Sequence, residues 1–247
     1  MVMPSGSSGQ PDAADQLREL QEEAELQART MSFVSHDLRG NLNGVVLMLE
    51  VLRRELAQRP ELAESLEDLT LVRQSIQETV QLLERHSLLD KLQRRRVPVA
   101  IQPVNLKDVV DEVIARFAEI AKAKEMQLAA DVDPQASVLA DRFLLGTAIS
   151  ELLENAVKYG AGPIAITARL GGDNGKQRWK LGITDSGPGI APDRLQMLME
   201  PLQRLEKKER GLGLMIVHSA ARLLGARLEA ESSPAGSTFR LVLPSAG

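Results

Sequence analysis

Four short constellations hold residue types that could do chemistry. In Ser35-His36-Asp37-Leu38-Arg39 an imidazole stands next to a carboxylate. A neutral imidazole is a competent nucleophile near neutral pH, and an adjacent ionised acid can take its Nδ1 proton while Nε2 attacks a phosphoryl group. Taken alone, these five residues are described more simply as a surface histidine beside a helix acid. In Glu151-Leu152-Leu153-Glu154-Asn155-Ala156-Val157-Lys158-Tyr159, helical spacing places Glu151, Asn155 and Lys158 on one face with Tyr159 nearby. An acid and an amide suit a hydrated Mg2+, which prefers oxygen ligands and keeps several waters. A lysine adds a point charge for phosphate. A solvated polar face would carry the same residues.

The third constellation, Asp185-Ser186-Gly187-Pro188-Gly189-Ile190, follows an alternating stretch in which Trp179, Leu181 and Ile183 share a face. Asp185 at a strand end can accept a hydrogen bond from an exocyclic amine. Two glycines two apart permit backbone shapes closed to other residues and close approach of a ligand; a tight turn is the alternative. The fourth, Gly211-Leu212-Gly213-Leu214-Met215-Ile216-Val217, opens a helix. It offers free N–H groups and a positive dipole end to phosphate, or is a helix entry after a loop.

These groups need elements to hold them. Residues 1–13 read as a disordered leader rich in Ser, Gly and Pro. Residues 14–96 read as a helical hairpin. Apolar or small residues recur in steps of three and four through Leu38, Leu42, Val45, Leu49, Leu52 and Leu56, Pro60 interrupts, and a second stripe follows through Leu62, Leu66, Leu69, Val72, Ile76, Val80, Leu83 and Leu92. One hairpin covers its stripe poorly and two hairpins cover it well, so a homodimer through a four-helix bundle is expected. His36 falls one residue after the stripe position Ser35, on the flank of the bundle.

Pro98 and Pro103 bracket a linker over 97–104, and residues 105–247 change texture. Asn105 is a helix cap. Helices are expected near 106–124, 141–158 and 213–224, and strands near 127–132, 137–140, 164–170, 179–184, 227–231 and 238–243. The whole is multidomain: an all-α hairpin forming a dimeric four-helix bundle, then an α+β sandwich with helices on one face of a mixed sheet.

Composition excludes several classes. With no cysteine there is no disulfide, thiolate metal site or thiol nucleophile. A formal charge of −4 gives no basic footprint for nucleic acid, and Arg94–Arg96 is too short a run to change that. No apolar stretch approaches the roughly 20 residues of a membrane span, and no basic-then-apolar signal opens the chain. A cytoplasmic protein that does not itself contact a membrane is expected.

In order and spacing, the four constellations resemble the sensor histidine kinase family over about residues 15–245. The resemblance implies a dimerisation and phosphoacceptor hairpin followed by a Bergerat-type ATP-binding domain, shared with chaperone, gyrase and mismatch-repair ATPases. It implies ATP and Mg2+ as cofactors, His36 as phosphoacceptor with Asp37 assisting, and Asn155 as a Mg2+ ligand. Lys158 and Tyr159 would lie near the phosphates and Asp185 would read the adenine amino group. Gly187 and Gly189 would shape the adenine pocket, and Gly211, Leu212 and Gly213 would anchor the phosphate end. Glu151 stands where related ATPases place a water-activating glutamate, and would serve as a base, assist Mg2+ or face solvent. The implied partner is a response-regulator receiver domain, whose aspartate takes the phosphoryl group from His36.

The sequence departs from the family pattern in places. Asn41 stands where proline is usual. Gly40 replaces the Thr or Asn that positions water for dephosphorylation, so weak phosphatase activity is expected. Glu209 replaces a glycine, and Met199-Glu200-Pro201-Leu202 carries aliphatics in place of the lid aromatics. A histidine phosphotransfer or scaffold dimer with a degenerate or regulatory ATP domain is therefore the rival reading. A serine kinase of the anti-sigma type shares the ATP domain but has no use for the Ser35–Arg39 group.

Overall fold

The structure is a computed structural model describing residues 37–57, 63–173, 175–200 and 211–246. His36, Glu209, Pro201, Leu202 and the leader 1–13 lie outside the described residues. The chain divides into two compact units, Met1–Asp90 and Lys91–Gly247.

The first unit contains α1 (37–56) and most of α2 (Ala63–Gln93). Half-buried positions in α1 include 39, 42, 46, 49, 53 and 56, and in α2 they include 66, 69, 73, 76, 80 and 83. Alternating steps of three and four are the seam of two helices packed along their length. Arg39 Nε lies 3.4 Å from Glu84 Oε1, early on α1 and late on α2, so the helices run antiparallel. The apolar stripe read from sequence is displaced at three of its six positions in α1 and at Val72 in α2. Arg39, Val46, Arg53 and Arg73 stand on the seam, while Leu38 (43%), Val45 (42%), Leu52 (45%) and Val72 (48%) are exposed. An aliphatic count overlooks arginine, whose long stem covers apolar surface while its head stays wet.

Arg53 also forks onto Glu50, with Nε 3.1 Å and Nη2 2.8 Å from the two carboxylate oxygens. The Arg53 hydrogen bonds and charge, with Arg54 adding to them, hold the Glu50 carboxyl down at about 2.

After the end of α2, the second unit continues with β1 (Gln102–Asn105), whose first three residues lie in the stretch 97–104 read from sequence as linker. Then follow α3 (Leu106–Ala123), β2 (Leu128–Asp131), β3 (Ser137–Ala140), α4 (Arg142–Tyr159), β4 (Ile164–Asp173) and β5 (Lys176–Asp185). The unit closes with α5 (Pro192–Met199), α6 (Leu212–Leu223), β6 (Arg227–Ser233) and β7 (Gly236–Pro244). Five strands form one sheet in the order β2-β4-β5-β7-β6, and β1 and β3 form a separate two-stranded ribbon. β2 and β4 are parallel and the other neighbours antiparallel.

Period-two alternation sets which sheet face is buried. Ile164, Ile166 and Ala168 of β4 and Trp179, Leu181 and Ile183 of β5 point into the core, and the register sets Ile166 opposite Ile183. α4 packs against α3 and α6. It therefore buries a wide arc: Leu144, Leu145, Ala148, Ile149, Leu152, Leu153, Ala156 and Val157. Asn105 caps α3 as expected, its Oδ1 accepting from Asp108 N at 3.1 Å. Asp141 caps α4, accepting from Leu144 N at 3.0 Å, and its second oxygen accepts from Ala100 N at 2.9 Å. One carboxylate thus starts the central helix and fastens the incoming chain. At the other end Ser245 bridges to Val138 of β3, and its N–H reaches Gln177 O at 3.4 Å, so β7 ties the ribbon to the main sheet.

Two outcomes are expected. Asp141→Ala should lower the stability of the second unit by about 1–2 kcal/mol in chemical denaturation, since a helix cap and a chain tether are lost together. Glu50→Gln should destabilise the hairpin at neutral pH. Glu50 is depressed in the fold, so its contribution is present above the unfolded carboxylate value and lost as pH falls. The gap between parent and Glu50→Gln should therefore close between pH 4.5 and about 2.

Candidate functional site

Three elements converge on one end of the five-stranded sheet: the carboxyl-terminal half of α4, the turn after β5, and the first turn of α6. α4 brings Glu151 and Asn155 to one face because they are four residues apart. Glu151 is a carboxylate with 8% of its surface exposed, in a helix otherwise buried through apolar groups. Opposite stands Gly213. A Cβ there would lie 2.5 Å from Glu151 Oε2 and 3.8 Å from Asn155 Nδ2. The absence of a side chain lets the α6 amino end close on the acid and the amide. Gly211, the N-cap of α6, supplies no side-chain hydrogen bond. N–H groups of a helix's first turn have no partner within the helix, and negative charge is favoured there; the Glu151 carboxylate takes up part of that place.

The turn after β5 is fixed by Asp185. Its Oδ1 accepts from Gly187 N at 2.8 Å, and Ser186 N donates to Ala161 O at 3.2 Å. The approach of α4 is close. A Cβ on Gly160 would meet Asp185 Cβ at 2.7 Å, and one on Gly187 would meet Asp185 Oδ1 at 2.8 Å and Tyr159 O at 3.1 Å. Gly236 has φ +138°, and any side chain there would run into Asp185 O. Gly189 has φ +75° and lies against Ser233 O. Ile190 N donates to Ser232 Oγ at 2.8 Å, and Ser232 Oγ lies 2.9 Å from Ser237 Oγ. On the neighbouring strand Thr184 and Thr238 share a hydrogen bond at 2.9 Å.

The structure thus gathers Glu151, Asn155 and Gly213 at one point, and Asp185, Gly187 and Gly189 in one turn. Lys158 and Tyr159 are exposed at the end of α4, the ammonium 5.3 Å from the ring centroid, while Lys124 of α3 donates to Val157 O at 3.0 Å nearby. Leu212 is half-buried, and Gly211 is exposed with open space around its Cα. Asp37 is exposed at the start of the described part of α1. Sequence reasoning overlooked Gly160, Gly236 and Ser232, which shape the surroundings of Asp185. Their signals, Tyr-Gly-Ala-Gly after a helix and Ser-Ser-Pro-Ala-Gly between strands, read only as turns. It also gave no helix to the stretch after Ala191, where α5 forms.

The residues present suit Mg2+ bound jointly with phosphates. Asn155 and Glu151 offer an amide oxygen and a carboxylate side by side. Among the described residues no group of three or more His, Cys, Asp or Glu is placed to cage a metal, and Mg2+ with substrate phosphates needs only one or two protein ligands.

Comparison with known proteins follows this geometry. Residues 140–247 match the family of histidine kinase-, DNA gyrase B- and HSP90-like ATPases. An uncharacterized sensor-like histidine kinase of Rhizobium meliloti is 26% identical over 93% of this chain and 48% of its own length. The adaptive-response sensory kinase SasA of Crocosphaera subtropica is 27% identical over 91% of this chain and 61% of its own length. Full-length ShkA in complex with AMPPNP superposes with a TM-score of 0.69 at 25% identity, covering 89% of this chain and 46% of that one. The chain spans less than two thirds of the length of these relatives. Among the described residues no helix is long and apolar enough to cross a membrane.

Gly160→Ala should cost about 2–3 kcal/mol in chemical denaturation, because backbone and the base of Asp185 must move apart. Gly211→Ala, with nothing near it, should change stability by less than about 0.5 kcal/mol.

Proposed function

We propose that this chain, a member of the sensor histidine kinase family, uses Mg-ATP to phosphorylate its own His36 and passes the phosphoryl group to an aspartate of a response-regulator receiver domain. One observation carries the reading: Gly213, the residue without a side chain in the first turn of α6, is seated against Glu151 and Asn155 of α4, the helix whose end at Gly160 lies against Asp185. Asp185 accepts from the exocyclic amine of adenine, its carboxylate held in place by a turn whose glycines let the backbone close tightly around it. Gly211, Leu212 and Gly213 present backbone N–H groups to the triphosphate, and Lys158 adds positive charge from the end of α4, beside Tyr159. Asn155 holds Mg2+ with Glu151 adjacent, and the ion neutralises phosphate charge when bound. Positioning and electrostatics supply most of the catalysis in such a transfer.

His36 Nε2 attacks the γ-phosphorus. The nitrogen–phosphorus bond forms as the bond to the β–γ bridging oxygen breaks, and ADP leaves. Asp37 takes the Nδ1 proton. The apolar side chains left exposed on the hairpin, Leu38, Val45, Met48 and Leu52 of α1 and Val72 and Leu82 of α2, support pairing of two chains as a four-helix bundle. The rival reading, a phosphotransfer dimer whose ATP domain is regulatory, draws on the Glu151 carboxylate, which already sits at the α6 amino end where phosphate would bind.

Incubation with Mg2+ and γ-labelled ATP decides between them. An acid-labile, alkali-stable label should form and should be lost in His36→Gln and in Asn155→Ala. A label that survives His36→Gln would overturn the acceptor assignment. A parent chain that gives no label and no ATP binding in titration would favour the rival.

A further inference from the structure

α5 lies against β6 without sinking into the core. It is eight residues long, none of them fully buried, and Ala191 gives it no side-chain cap. An isolated helix of two turns does not persist in water. Its amino end is fixed through the Asp185 turn, where Ile190 N donates to Ser232 Oγ. Its carboxyl end meets a side chain from another helix: His218 Nε2 of α6 lies 3.1 Å from Leu198 O. Carbonyls in the last turn of a helix have no intrahelical partner, and a ring N–H there supplies one. His218 is half-buried. It follows Gly213 by five residues, about 7.5 Å along the helix axis. The His218 imidazole therefore joins the helix whose first turn faces Asn155 to the segment that begins at Asp185.

We propose that His218 is a positioning residue for the nucleotide site: by donating Nε2–H to Leu198 O it holds the run from Asp185 to Met199 against α6, and so sets how long a nucleotide stays bound. The proposal rests on the ATP-binding reading above. The donor exists in the neutral tautomer protonated at Nε2 and in the imidazolium alike, so the tether persists across physiological pH. It acts on residence and not on the transfer step, because the group it holds is the backbone carbonyl of Leu198 and not a side chain assigned to the nucleotide.

The test uses His218→Leu, which removes the donor, and His218→Gln, whose amide can still reach a carbonyl. Hydrogen exchange is followed first without nucleotide. Losing one hydrogen bond worth about 1 kcal/mol should speed exchange of the α5 amides roughly fivefold in His218→Leu, with the β4–β5 amides unchanged and His218→Gln near the parent. A fluorescent ATP analogue should then leave His218→Leu faster by a similar factor. Labelling of His36 at saturating ATP should stay within about twofold of the parent. Unchanged α5 exchange in His218→Leu overturns the tether. So does equal behaviour of the Leu and Gln variants, or faster exchange throughout the sheet. Faster α5 exchange with an unaltered dissociation rate overturns the positioning role. A parent chain that binds no ATP overturns the reading beneath the proposal; exchange in α5 judges the tether separately.

Discussion

Asp185 occupies a point where backbone from three directions comes so close that none can carry a side chain. Gly160 arrives from the end of α4, Gly187 from the turn after β5, and Gly236 from the start of β7. Each excluded Cβ would strike an atom of the same aspartate. Close packing of this kind leaves no slack to absorb even one methyl group. The carboxylate is therefore aimed by the backbone around it, and the turn it organises, from Gly187 to Ile190, inherits a fixed place over the sheet end. The α6 amino end is set by the same means, with Gly213 admitting Glu151 and Asn155.

Around that constraint the second unit is conventional in its physics. Alternating aliphatics make one sheet face, three helices cover it, and polar side chains are spent at junctions: Asn105 and Asp141 at helix starts, Lys124 on the carbonyl of Val157, Ser232 on the N–H of Ile190. The first unit follows another logic. Its seam mixes leucines with arginines, and apolar residues such as Leu47, Met48, Val51 and Leu71 lie exposed away from it. An interface that mixes charged and apolar positions specifies its partner more sharply than an all-apolar one.

Where a pattern has a period, the sequence revealed it. β3 was legible to the residue, α4 and α6 to within one or two positions, and the cap at Asn105 by its chemistry. β1 was hidden because a four-residue strand holding Pro103 looks like a linker; it is a strand only because β3 lies beside it. α5 was hidden because Ala191 makes no side-chain cap and none of its residues is fully buried. The seam of the hairpin was legible in α2 except at Val72, and half legible in α1. Leu42, Leu49 and Leu56 were placed on it, but Arg39 and Arg53 displaced the aliphatics one position earlier. For the site, spacing alone united Glu151 with Asn155 and marked the two glycine pairs. It could not identify Gly160 or Gly236, since the demand for a missing side chain there comes from an aspartate distant in sequence.

β7 deserves a mechanical view. Its first residues lie opposite Asp185, through Ser237, and beyond its last the chain is fastened to Val138 of the ribbon. Between those points it is flanked on both sides by hydrogen-bonded strands, β5 and β6. A strand hydrogen-bonded on two flanks has no unpaired edge along which to shift, so its two ends keep a fixed spacing. The ribbon that includes β1, just past the place where Asp141 clasps the entering chain, is thereby joined through one continuous strand to the surroundings of Asp185.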